Sequence, residues 1–141
     1  MIETEPVHSQ ESLPHILILN SYHPGYLWSD DELTGVVSTL RQKYSYLLPA
    51  IEYLDTKHFP SSDHWFILKE YLARKYRSHP IDVIIVLDNP AFDLALKYRD
   101  ELFPGVPIVF AGVNSFRPEM LHGQEHITGV VEQQDIAGTL K

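Results

Sequence analysis

The residues of this chain with the means to do chemistry gather in five short segments. They read Asn20-Ser21-Tyr22-His23-Pro24-Gly25-Tyr26-Leu27-Trp28, Thr56-Lys57-His58-Phe59-Pro60, Asp88-Asn89-Pro90, Gly112-Val113-Asn114-Ser115-Phe116 and Glu132-Gln133-Gln134-Asp135. The first is the richest, with Tyr22, Tyr26 and Trp28 within seven residues around a Pro-Gly turn, joined by Ser21 and His23. Flat aromatic faces with a few polar groups among them suit the wall of a small-molecule cleft, where the rings exclude water and the polar atoms orient the guest.

Sharper chemistries fail against these segments. A dinucleotide site needs Gly-x-Gly-x-x-Gly after the first strand, so that backbone can approach pyrophosphate, and Gly25 stands alone there. No phosphate-loop lysine follows a glycine-rich turn. A phosphoacceptor receiver would use Asp88, but it also wants acidic residues after the first strand and a lysine after the fifth. Asn20-Ser21 and Glu132-Gln133-Gln134 occupy those places. His122 and His126 have metal-ligand spacing, yet Gly123 lies between them with no supporting helix, so a solvated loop is the better reading. Ser21 and His23 lack the Gly-x-Ser-x-Gly elbow of a hydrolase. Asp30 and Asp31 read as partners of a helix dipole. The expectation is therefore a binding protein with no catalytic residues, no metal and no cofactor.

These segments need a scaffold that brings them together. After a lead-in over residues 1–13, His15 to Asn20 is a continuous apolar run, the mark of a strand covered on both faces. Ser29 and Glu32 have capping-box spacing, and Leu33, Val36, Val37, Leu40 and Tyr44 then predict a helix over 29–45. Pro49 to Asp55 reads as an outer strand, and Ser61 or Ser62 caps a helix through Phe66, Leu68, Tyr71, Leu72 and Tyr76. Ile81 to Leu87 is a buried strand rich in β-branched residues. Asn89-Pro90 then reads as a cap and a first helical residue, and the helix stops at Pro104-Gly105. Val106 to Ala111 and Ile127 to Val131 supply two more strands, with a short helical turn around 118–121 between them. The alternation predicts a doubly wound, flavodoxin-like parallel α/β sheet of five strands in the order 2-1-3-4-5. Leu17, Ile18, Leu19, Val83, Ile84, Ile85, Val86, Ile108 and Val109 are expected in its core. In such a sheet, ligands bind beyond the carboxyl ends of the strands, where all five segments fall.

Composition narrows the partners. The 141 residues carry 11 Lys and Arg against 19 Asp and Glu, a formal charge of -8, so a phosphate backbone finds no basic patch and nucleic acid is not an expected partner. At 44% hydrophobic and 21% charged, the chain is globular in composition. No apolar run approaches the ~20 residues of a membrane helix. Met1 to Pro6 is acidic and polar where a secretory leader would be charged and then apolar, so no signal peptide is expected. The absence of cysteine excludes disulfides and thiol chemistry without assigning a compartment.

Four of the segments follow one another in a familiar order. Leu19-Asn20-Ser21-Tyr22-His23-Pro24-Gly25-Tyr26-Leu27-Trp28, Leu87-Asp88-Asn89-Pro90-Ala91-Phe92, Phe110-Ala111-Gly112-Val113-Asn114 and Thr128-Gly129-Val130-Val131-Glu132 together resemble the N-terminal lobe of an ABC-transporter substrate-binding-protein-like domain, of the type I periplasmic-binding-protein fold. The opening is similar to the version found upstream of bacterial sensor histidine kinases. The resemblance covers about residues 14–141 and implies an extracytoplasmic sensory lobe of a signal-transduction protein, on the periplasmic or outer face of a bacterial inner membrane. A transporter's solute-receptor lobe is the alternative, and a cytosolic flavodoxin-like enzyme the second.

It also implies that residues 14–134 form the ligand-binding lobe and that 135–141 begin a crossover to a second lobe beyond Lys141. Ser21, Tyr22, His23, Tyr26 and Trp28 would line one wall of the cleft, with Asp88 and Asn89 at its floor, Asn114 beside them and Glu132 near the hinge. Pro90 departs from the pattern, standing where many relatives carry a small polar residue. Rings for stacking and the carboxylates of Asp88 and Glu132 favour an amino acid or amine as the small organic solute. A lobe without its mate is expected to self-associate, most simply as a two-fold dimer through Ile127 to Leu140 or the neighbouring helix faces.

Overall fold

Each apolar run becomes a strand with neighbours on both sides wherever the run is continuous, and the helical stretches carry the chain back across the sheet. The computed structural model describes residues 12–131. Within them lie β1 (Ile16–Asn20), α1 (Leu27–Lys43), β2 (Ala50–Tyr53), α2 (Ser62–Lys75), β3 (Val83–Leu87), α3 (Asp88–Leu102), β4 (Ile108–Val113), a 3₁₀ turn (Pro118–Leu121) and β5 (Ile127–Val131). All four pairings are parallel, and the order β2-β1-β3-β4-β5 is the predicted one. Glu132, the expected crossover helix, the rest of the expected dimer segment and most of the lead-in lie outside the described residues.

Alternation within the strands sorts the core to two faces. Leu17, Leu19, Ile84, Val86, Ile108 and Phe110 pack with Leu68 and Leu72 of α2 and Ala91, Phe92, Leu94 and Ala95 of α3. Ile16, Ile18, Ile85 and Leu87 face the other way, toward Leu33, Val36, Val37 and Leu40 of α1. Val83 and Val109, also expected inside, are only partly buried and pack at the margin of this second face. None of the described helices is long and apolar enough to cross a membrane.

Two helix starts differ from the sequence reading. Helix α1 begins at Leu27 with Tyr26 as its N-cap, so the Ser29–Glu32 capping box does not form. Ser29 lies buried in the first turn instead, donating its hydroxyl proton to Asn20 Oδ1 at 2.7 Å. The loop before it is tied by the Gly25 N–H, which donates to the Asp30 carboxylate at 2.9 Å. Helix α3 begins directly at Asp88, so Asn89 is not its cap. The Asn89 side chain is engaged elsewhere, with Asn114. Ser61 does cap α2, accepting from the His64 N–H.

Candidate functional site

The strand order reverses between β1 and β3, and the loops leaving their carboxyl ends part to opposite faces of the sheet, which opens a crevice there. Ser21 is the hub of that crevice. It is fully buried, donates its hydroxyl to the Leu87 carbonyl at 2.6 Å and accepts from the Ala91 N–H at 2.8 Å. Its own carbonyl accepts from Thr56 Oγ1 at 2.7 Å. One small residue thereby locks the ends of β1 and β3, the first turn of α3 and the loop after β2. Asn20 Oδ1 accepts from the Tyr22 N–H as well as from Ser29, fixing the turn into the aromatic loop.

Two carboxyl groups meet in this crevice. Glu32 comes from α1 and Asp88 from the junction of β3 and α3, where it is buried and takes a left-handed φ of 69°. That conformation, tolerable for Asp, lets the strand turn straight into the helix. Gly112 of β4 has φ +70°, and a Cβ there would stand 2.5 Å from Glu32 Oε1 and 2.7 Å from Asp88 Oδ1. Both carboxyl groups therefore crowd one point, which only a glycine leaves open. Carboxylates so placed repel unless a proton or a cation stands between them.

Aromatic rings line the approach. Tyr22 and Tyr26 meet edge to face at 5.0 Å between centroids. Burial raises the pKa of the Tyr22 phenol above its usual value, and the charges of Asp88, Tyr26 and Glu32 push the same way, so Tyr22 belongs to the carboxyl pair's surroundings. The Lys57 ammonium rests over both rings, 4.8 Å from the centre of Tyr22 and 4.7 Å from that of Tyr26. Beside them, His23 and His58 stack at 4.2 Å and turn toward Asp55, whose Oδ1 lies 3.6 Å from His23 Nδ1 and 2.6 Å from His58 Nδ1. Asp55, like Asp88, follows a strand with a positive φ, here 53°.

The remaining predicted residues are placed less centrally. Asn89 and Asn114 form a reciprocal pair at the rim, the Asn114 N–H donating to Asn89 Oδ1 at 2.8 Å and Asn89 Nδ2 to the Asn114 carbonyl at 3.3 Å. Trp28 stands in the first turn of α1 with 60% of its surface exposed. Glu132 lies outside the described residues. The sequence reading missed Glu32 and Asp55, and placed Lys57 and His58 in a candidate segment without naming them as site residues. A signal for Glu32 was present: it is three residues from Ser29 and four from Val36, on the stripe of α1 that faces the sheet. The pairing of Asp55 with His23 crosses from one loop to another and leaves no mark in local spacing.

A hollow of about 530 Å³ lies on the flank of α3, among Asp93, Lys97, Arg117 and His122. Its charges are of both signs, whereas at the sheet's edge two carboxyl groups face one point. Comparison of the chain with protein-family models, with curated proteins and with solved structures finds no match.

Proposed function

We propose that the carboxyl edge of the sheet is the ligand face of a sensory lobe, and that it holds a small organic solute by its ammonium group. The convergence of Glu32 and Asp88 on Gly112, beside the rings of Tyr22 and Tyr26, carries this reading. Two carboxyl groups offer acceptor oxygens to an ammonium group, and tyrosine faces add attraction for the same charge. An anion meets the opposite field, on a chain whose formal charge is already -8. The likeness of four segments to the N-terminal lobe of periplasmic-binding-protein sensors supports the biological setting: the extracytoplasmic part of a bacterial signal-transduction protein, with a sensor histidine kinase as the parent.

The test is calorimetric titration of the chain with primary amines, α-amino acids, simple carboxylates and neutral sugars. Amines or amino acids should bind in the millimolar range, about 4 kcal/mol, because one lobe supplies only half of the desolvating contacts of a closed cleft. Asp88→Asn and Glu32→Gln should each weaken that binding about tenfold while circular dichroism stays unchanged. Binding of carboxylates in preference to amines, or amine binding indifferent to both substitutions, would overturn the reading.

A further inference from the structure

We infer that His23, Asp55 and His58 form a site for a divalent transition metal of the zinc type, at the rim of the crevice. The three side chains offer two imidazole nitrogens and a carboxylate oxygen, all within 4.8 Å of one another. In a tetrahedral zinc site with bonds of ~2.0–2.2 Å, neighbouring ligand atoms stand about 3.3 Å apart. The 3.6 Å between His23 Nδ1 and Asp55 Oδ1 is already close to that separation. His58, 2.6 Å from the same oxygen, has only to swing outward, and its side chain is exposed enough to do so.

An independent observation points to a missing ligand. His23 Nδ1 is buried and has no hydrogen-bond partner among the described residues, at 3.6 Å too far from Asp55 to make one. A buried ring nitrogen without a partner is costly, and a metal would satisfy it. The two imidazole rings lie 4.2 Å apart, tilted by 38°, so both can present a nitrogen to one ion together with the carboxylate. Asp55 is held for this task by its backbone: its N–H donates to the Tyr22 carbonyl, and its own carbonyl accepts from the Phe59 N–H, both at 3.1 Å. Lys57, the nearest cation in sequence, is drawn over the tyrosine rings. Three protein ligands leave a fourth position for water or for a donor atom of an incoming molecule. The site does not depend on the amine reading, since its ligands come from the loops after β1 and β2 and the carboxyl pair comes from α1 and α3.

Calorimetry of the full chain with zinc chloride, and visible absorption with cobalt(II), test the inference. One equivalent of zinc should bind, with the intense cobalt bands of a four-coordinate site. His58→Ala, His58→Gln and Asp55→Asn should each weaken binding by about tenfold or more. His122→Ala, a control for surface histidines, should bind as the parent does. Site-specific binding that persists although amines fail to bind still supports the metal site. No zinc binding, or binding unaffected by the His58 and Asp55 substitutions, overturns it.

Discussion

Gly112 illustrates how a residue without a side chain can be as specific as any acid or base. Its left-handed φ and the carboxyl oxygens standing where a Cβ would go make Gly112→Ala doubly unfavourable. The substitution should cost about 1–3 kcal/mol in urea unfolding, and should abolish amine binding by prising Glu32 from Asp88. Ser21→Ala is the complementary case. It strips the Ala91 N–H of its side-chain acceptor and removes a buried bond to Leu87, so a loss of about 1–3 kcal/mol in the same measurement is expected. Ser21, Tyr22, Tyr26 and Asp88 were legible as neighbours in a candidate site because each follows a recognisable strand. Glu32 was not, because Ser29-x-x-Glu32 fits a capping box equally well, and only the fold shows that Ser29 turns inward to Asn20.

Among the elements, β2 and α2 are joined by a polar cluster rather than by apolar packing alone. Glu52, nearly buried on β2, accepts from the Tyr76 hydroxyl at 2.6 Å, from Tyr71 at 3.2 Å and from the Lys75 ammonium. Burial and then the bond to Glu52 raise the Tyr76 pKa far above its ordinary value of 10.0, while the bond to Glu52 raises that of Lys75 above 10.5. Both shifts have the same sign in linkage. The unfolded chain releases these protons at lower pH than the folded one, so their contribution is whole below pH 10 and is lost as pH climbs past it. Thermal unfolding followed from pH 8 to about pH 11 should show this decline, and Tyr76→Phe should flatten it.

Helix α3 is pinned differently. The guanidinium of buried Arg99 donates through Nε and Nη2 to the Val106 carbonyl and through Nη1 to that of Glu125, clamping the loops on either side of β4. Arg99→Lys keeps the charge but not the fork, and should cost about 1–3 kcal/mol. The elements themselves were legible because apolar runs of strand length alternate with helical periodicity. The starts of α1 and α3 were not: Tyr26 and Leu87 precede them without any side-chain cap that spacing could announce.

At the scale of the whole molecule, stability is unevenly spread across the sheet. β1 and β3 lie inside it with their side chains almost all buried, while β5 is an edge strand with Thr128 to Val131 exposed among the described residues. Amide exchange should therefore be slowest in β1 and β3 and faster by at least about tenfold in β5, as read by residue-resolved hydrogen exchange. The strand order was legible because right-handed crossovers leave few ways to connect five parallel strands. The meeting of loops at the switch point follows from that order, but which side chains touch there does not. The ammonium of Lys57 gives the arrangement a further meaning. It already sits where the rings would greet a guest's charge, so the protein carries its own tethered rival. On the proposed reading a solute would have to displace that rival, which would raise the concentration at which the sensor responds. Exchanging the lysine for methionine would lower that threshold, moving the dose–response curve about fivefold toward scarcity, the equivalent of ~1 kcal/mol of cation–π attraction given up.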